Sequence, residues 1–212
     1  MLIPLDAVVR KHGLNIKGVL QVGAHFGEEH DTYIQLGIKN IVYIEPCKPA
    51  YNKLVERFKD GSEADILIWN VACGEEYGEM EMFVSHNNEG QSNSLLKPKL
   101  HLQQHPEVVF TDKEKVLVVP LDSLDIDMSK YNTLMMDVQG AEGLVLKGAR
   151  ETLKHIDIIY TEVNNGATYE GNMEIDEMDA FLKEYGFVRV ETLWASKNLT
   201  WGDACFCKKK II

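Results

Sequence analysis

The sequence predicts a doubly wound α/β domain, a mostly parallel sheet with helices on both faces. Three observations lead there. Short β-rich runs alternate with amphipathic stretches along the chain, as repeated strand–helix–strand units require. The run Asn40-Ile41-Val42-Tyr43-Ile44-Glu45 is almost wholly apolar, the mark of a strand covered on both faces. The 212 residues suffice for one sizeable core, and no repeat or low-complexity linker divides them. One domain over residues 1–212 is expected.

Each element has its local reason. Residues 4–12 read as a short helix within the opening piece 1–16, with Pro4 at its start and Gly13 as its stop. Residues 18–22 form the first strand, followed by a glycine-bearing turn and a helix over 28–36 that Gly37 ends. The second strand is 40–45. Tyr51, Leu54, Val55 and Phe58 repeat at a helical period within 48–59, and 65–71 is the third strand. Residues 79–84 alternate as a hairpin or edge strand does. Residues 85–112 are polar, hold two prolines and show no period, as a functional loop or lid would. Further strands are expected at 115–120, 132–137 and 157–163, with helices at 141–154 and 175–185. Residues 187–194 and 201–207 close the chain as an antiparallel pair.

Composition removes several classes of function. Lysine and arginine number 22 against 33 acidic residues, a formal charge of −11. Such a chain repels a phosphate backbone unless its basic residues cluster, and the only cluster is Lys208-Lys209-Lys210. Nucleic acid is not expected as a partner. No run approaches the roughly 18 apolar residues that a membrane helix needs. The first residues lack the basic start and apolar run of a secretory signal. Cys47, Cys73, Cys205 and Cys207 lack the density of a disulfide framework, so reduced thiols and a cytoplasmic location are expected. Cys205 and Cys207 share one face of a strand and read as packing.

The sharpest local feature is Val22-Gly23-Ala24-His25-Phe26-Gly27-Glu28, directly after a strand and before a helix. Glycines there let the backbone turn tightly and approach a ligand at the sheet's carboxyl edge. Taken alone, the turn fits a plain strand-to-helix connection equally well. The next strand, however, ends in Glu45, about twenty residues on, where a carboxylate can accept from both hydroxyls of a ribose. Together they point to an adenosine-bearing cofactor. A dinucleotide would favour Gly-x-Gly-x-x-Gly to admit its pyrophosphate, yet the third glycine is missing and Glu28 and Glu29 open the helix. Carboxylates there compete with phosphate and suit a cofactor with an ammonium and a sulfonium, so S-adenosylmethionine is favoured over NAD.

The same blocks resemble the FkbM-type methyltransferases. The resemblance runs in order through Val19-Leu20-Gln21-Val22-Gly23-Ala24-His25-Phe26-Gly27, Tyr43-Ile44-Glu45-Pro46, Asn70-Val71-Ala72 and Ser92-Asn93-Ser94-Leu95. It continues with Val119-Pro120-Leu121-Asp122-Ser123-Leu124 and the distinctive Asp137-Val138-Gln139-Gly140-Ala141-Glu142, and ends near Gly202-Asp203-Ala204. It implies a class I methyltransferase fold, Rossmann-like, with a seven-stranded, mostly parallel sheet and an antiparallel C-terminal strand. It also implies methyl transfer from S-adenosylmethionine to an oxygen, often a sugar hydroxyl. A non-sugar small-molecule acceptor, or an inactive cofactor-binding partner subunit, stands as the alternative. Two departures are Gln21, where many class I methyltransferases carry an acid, and Gln139, where Glu is frequent in this block.

Residue by residue, the resemblance sets Gly23, Ala24, His25 and Gly27 against the methionine part of the cofactor, with Gln21 as a neutral partner. Glu28 and Pro46 belong to the same cofactor turns, Glu45 to the ribose, and Asn70, Val71 and Ala72 to the adenine. Asp137, at a strand's carboxyl end, either steadies the following turn, contacts the cofactor ammonium, or accepts the acceptor's proton. Glu162 ends the next strand and, with Asn164 and Asn165 beside it, is a candidate for the acceptor pocket. His86, at the mouth of 85–112, is a further base candidate, and Ser94 falls near the active site. Two neighbouring strand-end carboxylates could hold a divalent cation, but nothing fixes a ligand count, and no metal is expected. Glu142, in a first helical turn, reads as structural. His101 and His105 stand four apart without a zincin glutamate and read as a solvated helix face.

Overall fold

The computed structural model describes residues 2–212. A seven-stranded sheet forms the centre, built from β1 (Val19–Val22), β2 (Asn40–Ile44), β3 (Asp65–Trp69), β7 (Thr133–Met136), β8 (Ile158–Asn164), β9 (Phe187–Trp194) and β10 (Trp201–Lys208). Its spatial order is β3-β2-β1-β7-β8-β10-β9. The first five are mutually parallel, and β10 inserts antiparallel to both β8 and β9. That is the expected architecture. The helices are α1 (Leu5–His12), α2 (His30–Gln35), α3 (Lys48–Phe58), α4 (His101–Gln104), α5 (Glu142–Lys147), α6 (Thr152–His155) and α7 (Ile175–Glu184).

Period-two alternation divides the strands between two cores. Leu20, Val22, Val42, Ile44, Leu134 and Met136 pack on one face, and Val19, Ile41, Tyr43, Met135 and Tyr160 on the other. Cys205 and Cys207 point together into the second core and form no disulfide. The strands expected at 79–84 and 115–120 leave the main sheet. β5 (Gly78–Ser85) and β6 (Phe110–Val119) pair antiparallel, and β6 also takes the two-residue β4 (Ala72–Cys73), giving a separate three-stranded sheet.

The chain runs from β1 outward to β2 and β3, then returns to lay β7 and β8 on β1's other side. That reversal opens a crevice beyond the carboxyl ends of β1 and β7, where open α/β sheets bind ligands. The two strand ends are tight there. A Cβ on Gly23 would stand 1.9 Å from the Asp137 carbonyl oxygen, and its φ of +78° is one that residues with a side chain rarely adopt.

The helix expected over 141–154 is two helices. At Gly148 a Cβ would fall 1.9 Å from the Gly74 carbonyl oxygen, so the small sheet presses against the helix end. The chain restarts where Asp122 accepts from the N–H groups of Glu151 and Thr152 at 2.8 and 2.7 Å. This carboxylate caps α6 from another segment. Asp122→Ala is expected to cost about 1 kcal/mol of stability, measured as a lower urea midpoint at unchanged slope.

Candidate functional site

A cavity of about 590 Å³ occupies the crevice, within the range of small-ligand pockets. Among the described residues that line it, Glu28, Glu29, Glu45, Glu107, Asp137, Glu162 and Asp203 are acidic and none is a lysine or arginine. A cation is favoured inside it and a phosphate opposed.

The turn after β1 shapes one wall. Gly23, Ala24, His25 and Glu28 line the cavity. His25 stacks on Phe26, its Nδ1 lies 2.5 Å from Glu28 Oε1, and its Nε2 lies 3.0 Å from the Glu89 carbonyl oxygen. Burial lowers the His25 pKa, but those two hydrogen bonds and the nearby carboxylates outweigh it, and the net shift is upward. Gly27 is not in the wall. It turns the chain at φ +72° with α3's Leu54 behind it, so its part is conformational.

Gln21 lines the cavity, but its amide is already engaged. Its Nε2 donates to Glu29 Oε2 at 2.7 Å, and its Oε1 accepts from the Tyr33 hydroxyl at 3.0 Å. It therefore orients Glu29, which supplies the acid that the strand lacks. Glu29 was legible only as half of an acidic pair at a helix start.

Glu45 is 6% exposed, and backbone amides fix both of its oxygens. Oε2 accepts from His25 N at 2.8 Å and Oε1 from Cys47 N at 2.8 Å. Burial pushes its pKa up, and the two amide hydrogen bonds only partly oppose that. Each oxygen keeps a lone pair for a ligand hydroxyl. Pro46 and Ala72 flank it in the wall, with Cys73 beside them. Asn70 and Val71 do not line the cavity. Asn70 Nδ2 donates to the carbonyls of Glu45 and Pro46 at 2.9 and 3.0 Å, which holds the Glu45 turn, and Val71 is buried in a core.

The opposite end is a polar network centred on Gln139. Its Nε2 donates to Asp137 Oδ1 and to Glu162 Oε2, each at 2.9 Å, and its Oε1 accepts from the Tyr169 hydroxyl at 2.9 Å. Burial raises the pKa of Asp137, and it raises Glu162 further, with the charges of Glu142 and Asp137 adding to it. Raised carboxylates are better proton acceptors near neutral pH. Gln139 sits at φ +53°, followed by Gly140 at +93°, where a Cβ would strike the Tyr169 ring at 2.4 Å.

Ser94 is buried outside the wall. Its Oγ donates to the Gln139 carbonyl at 2.6 Å, so it fixes the turn and does not touch the cavity. His86 is removed from the site altogether. It stands on the surface with Nε2 2.9 Å from Asp112 Oδ2, because the chain turns outward after β5. The expectation for His101 and His105 is corrected in the other direction. His101 is 5% exposed, and both histidines line the cavity beside Tyr169 and Trp201. Four residues of helix cannot present a solvated stripe once residues 97–101 pair with 167–170. Lys99 and His101 N–H groups donate to the Thr168 carbonyl at 3.0 and 3.1 Å, and Glu170 N–H donates to Lys97 O at 2.8 Å. The 85–112 segment thus carries a short helix, lines one side of the cavity and joins the loop after β8.

The sequence profile of the methyltransferase FkbM domain matches residues 21–189. The chain belongs to that family. It is an S-adenosylmethionine-dependent methyltransferase. A relative, the 2-O-methyltransferase NoeI of Sinorhizobium fredii, is 28% identical over 166 residues, 74% of this chain and 67% of that protein. The fold is that of class I enzymes. Magnesium protoporphyrin IX methyltransferase (ChlM) of Synechocystis, solved with bound S-adenosylmethionine, aligns at TM-score 0.54 and 10% identity over 96% of this chain and 77% of that one. An S-adenosylmethionine-dependent methyltransferase of Clostridium acetobutylicum aligns at 0.54 and 6% over 97% and 89%. The acidic cavity fits a cofactor bearing a sulfonium and an ammonium.

Glu142 in this FkbM domain works as the sequence implies, accepting from Val138 N at 3.0 Å and Gly140 N at 3.4 Å. Burial pushes its pKa up to about 7. Between the ordinary value of 4.5 and that value, the folded chain keeps a proton that the unfolded chain has lost. Stability should therefore fall as pH rises from about 4.5 to 7. Glu142→Gln, which keeps the acceptor, should flatten part of that slope in chemical unfolding across the window; an unchanged slope would remove Glu142 as its source.

Proposed function

We propose that the chain transfers the methyl group of S-adenosylmethionine to a hydroxyl oxygen of a sugar or glycan. The observation that carries this reading is one acidic cavity with a ribose-type acceptor, Glu45, at one end and the Asp137–Gln139–Glu162 network at the other. When bound, the cofactor supplies a methyl carbon already activated by positive sulfur. Glu45 would take the ribose hydroxyls, Pro46, Ala72 and Cys73 the adenine, and Gly23, Ala24 and Glu29 the methionine part.

The protein's remaining task is alignment and proton removal. With cofactor and acceptor bound, a carboxylate oxygen of Asp137 would take the hydroxyl proton as the acceptor oxygen gains the methyl group, which makes Asp137 the base in this reading. Gln139 aims that carboxylate and shares Glu162, which orients a neighbouring acceptor hydroxyl. Transfer to oxygen is supported by the 2-O-methyltransferase relative, and a saccharide by aromatic rings set among hydroxyl-accepting carboxylates. The formal charge of −11 opposes a nucleic-acid acceptor, and the four unpaired, buried thiols suit a reducing compartment such as the cytoplasm. Among the described residues no helix is long and apolar enough to cross a membrane.

S-adenosylhomocysteine should raise the unfolding temperature of the protein. In calorimetry Glu45→Ala should weaken its binding by about 1.5–3 kcal/mol, the loss of charge-assisted hydrogen bonds. Equal affinity would take Glu45 out of the site. Asp137→Asn should lower turnover by roughly 10² to 10⁴ with the fold retained, read by mass spectrometry as loss of the added methyl on oligosaccharides. Near-normal turnover with weaker cofactor binding would make Asp137 a cofactor ligand, with Glu162 the base.

A further inference from the structure

The far end of the cavity is built from aromatic rings. His101 lies 5.4 Å from Tyr169 and 5.0 Å from His105 between ring centroids, and His105 lies 6.0 Å from Trp201. The rings are locked in place. Trp201 Nε1 donates to His105 Nε2 at 3.1 Å, and the Tyr169 hydroxyl donates to Gln139, which ties the wall to the catalytic carboxylates. One polar atom in this wall is left over. The Nδ1 of His101 is buried and has no hydrogen-bond partner among the described residues.

Charge narrows what can occupy this end of the cavity. Glu107, Glu162 and Asp203 line this end, and no lysine or arginine does. We propose that His101, His105, Tyr169 and Trp201 form the acceptor subsite, and that it takes a neutral or amine-bearing sugar ring and rejects uronic acids, sugar phosphates and sugar nucleotides. The proposal rests on the saccharide reading above. The C–H face of a pyranose packs on an aromatic face, and its hydroxyls reach the carboxylates. An anionic acceptor would set a carboxylate or phosphate against like charge with no cation to neutralise it. His101 is neutral, since burial lowers its pKa to about 4.

The test pairs each neutral methyl glycoside with its amino, uronate and 6-phosphate forms. Binding to the protein saturated with S-adenosylhomocysteine is measured by saturation-transfer NMR, and kcat/KM with S-adenosylmethionine. Neutral and amino forms should bind and react, and anionic forms should fall by about 100-fold or more. His105→Ala and Trp201→Ala, each removing one ring from this wall, should each raise acceptor KM by about 3- to 10-fold, leaving S-adenosylhomocysteine affinity near wild type. Anionic forms reacting as well as neutral ones would overturn the subsite while leaving the saccharide reading intact. Neutral forms that bind in the wild type and lose contact in both variants, yet accept no methyl, would uphold the subsite and overturn the transfer. Binding of none would overturn both.

Discussion

The side-chain amide of Gln139 holds the site together. Two carboxylates, the half-buried Asp137 at the end of β7 and the buried Glu162 near the end of β8, repel each other when both are charged, and one NH₂ group donates to both. Its carbonyl end accepts from Tyr169, and its main-chain carbonyl accepts from Ser94. Four parts of the chain therefore meet on one residue: two neighbouring strands, the 85–112 segment and the loop after β8. A carboxylate at position 139 would set a third like charge into the group and remove both donors. Gln139 holds this place in a left-handed backbone conformation, φ +53°, which residues with a side chain rarely adopt, and Gly140 continues the turn at +93°.

That network explains why the cavity has two characters. Around Glu45 the polar groups are backbone amides of the turns after β1 and β2, braced by the Asn70 side chain. Around Asp137 the polar groups are side chains from distant segments, each satisfied by the next. The first kind of site is fixed by local sequence and suits a ligand of constant shape. Gln21 links the two by holding Glu29, so that a strand with no acid still presents a carboxylate to the cavity.

The small sheet of β4, β5 and β6 has a related role. It presses on the end of α5 at Gly148 and supplies Cys73 and Met82 to the cavity wall. From β5 the chain leaves into the 85–112 segment and returns as β6, so the segment starts and ends on a paired hairpin. The segment's polarity, which reads as a free loop, satisfies its own turns. Ser85 Oγ donates to Asn88, Asn88 donates to Ser92, and Ser85 N–H donates to Asn93.

The sequence by itself determined the sheet, the turn after β1 and the acidic end of β2. Those features depend on period-two apolar runs, on glycines where the backbone must turn, and on one carboxylate at a fixed spacing, all of them short-range properties. It also marked Asp137 and Glu162, because strand ends are legible once strands are. Tertiary structure decided what no local pattern encodes. His101 is buried because residues 97–101 pair with a loop about seventy positions away, and a four-residue helix has no face to spare. His86 is outside because β5 bends outward at Ser85, where its register with β6 shifts. Asn70 and Ser94 became supports for the site when their side chains found main-chain carbonyls, a choice made by distance in space.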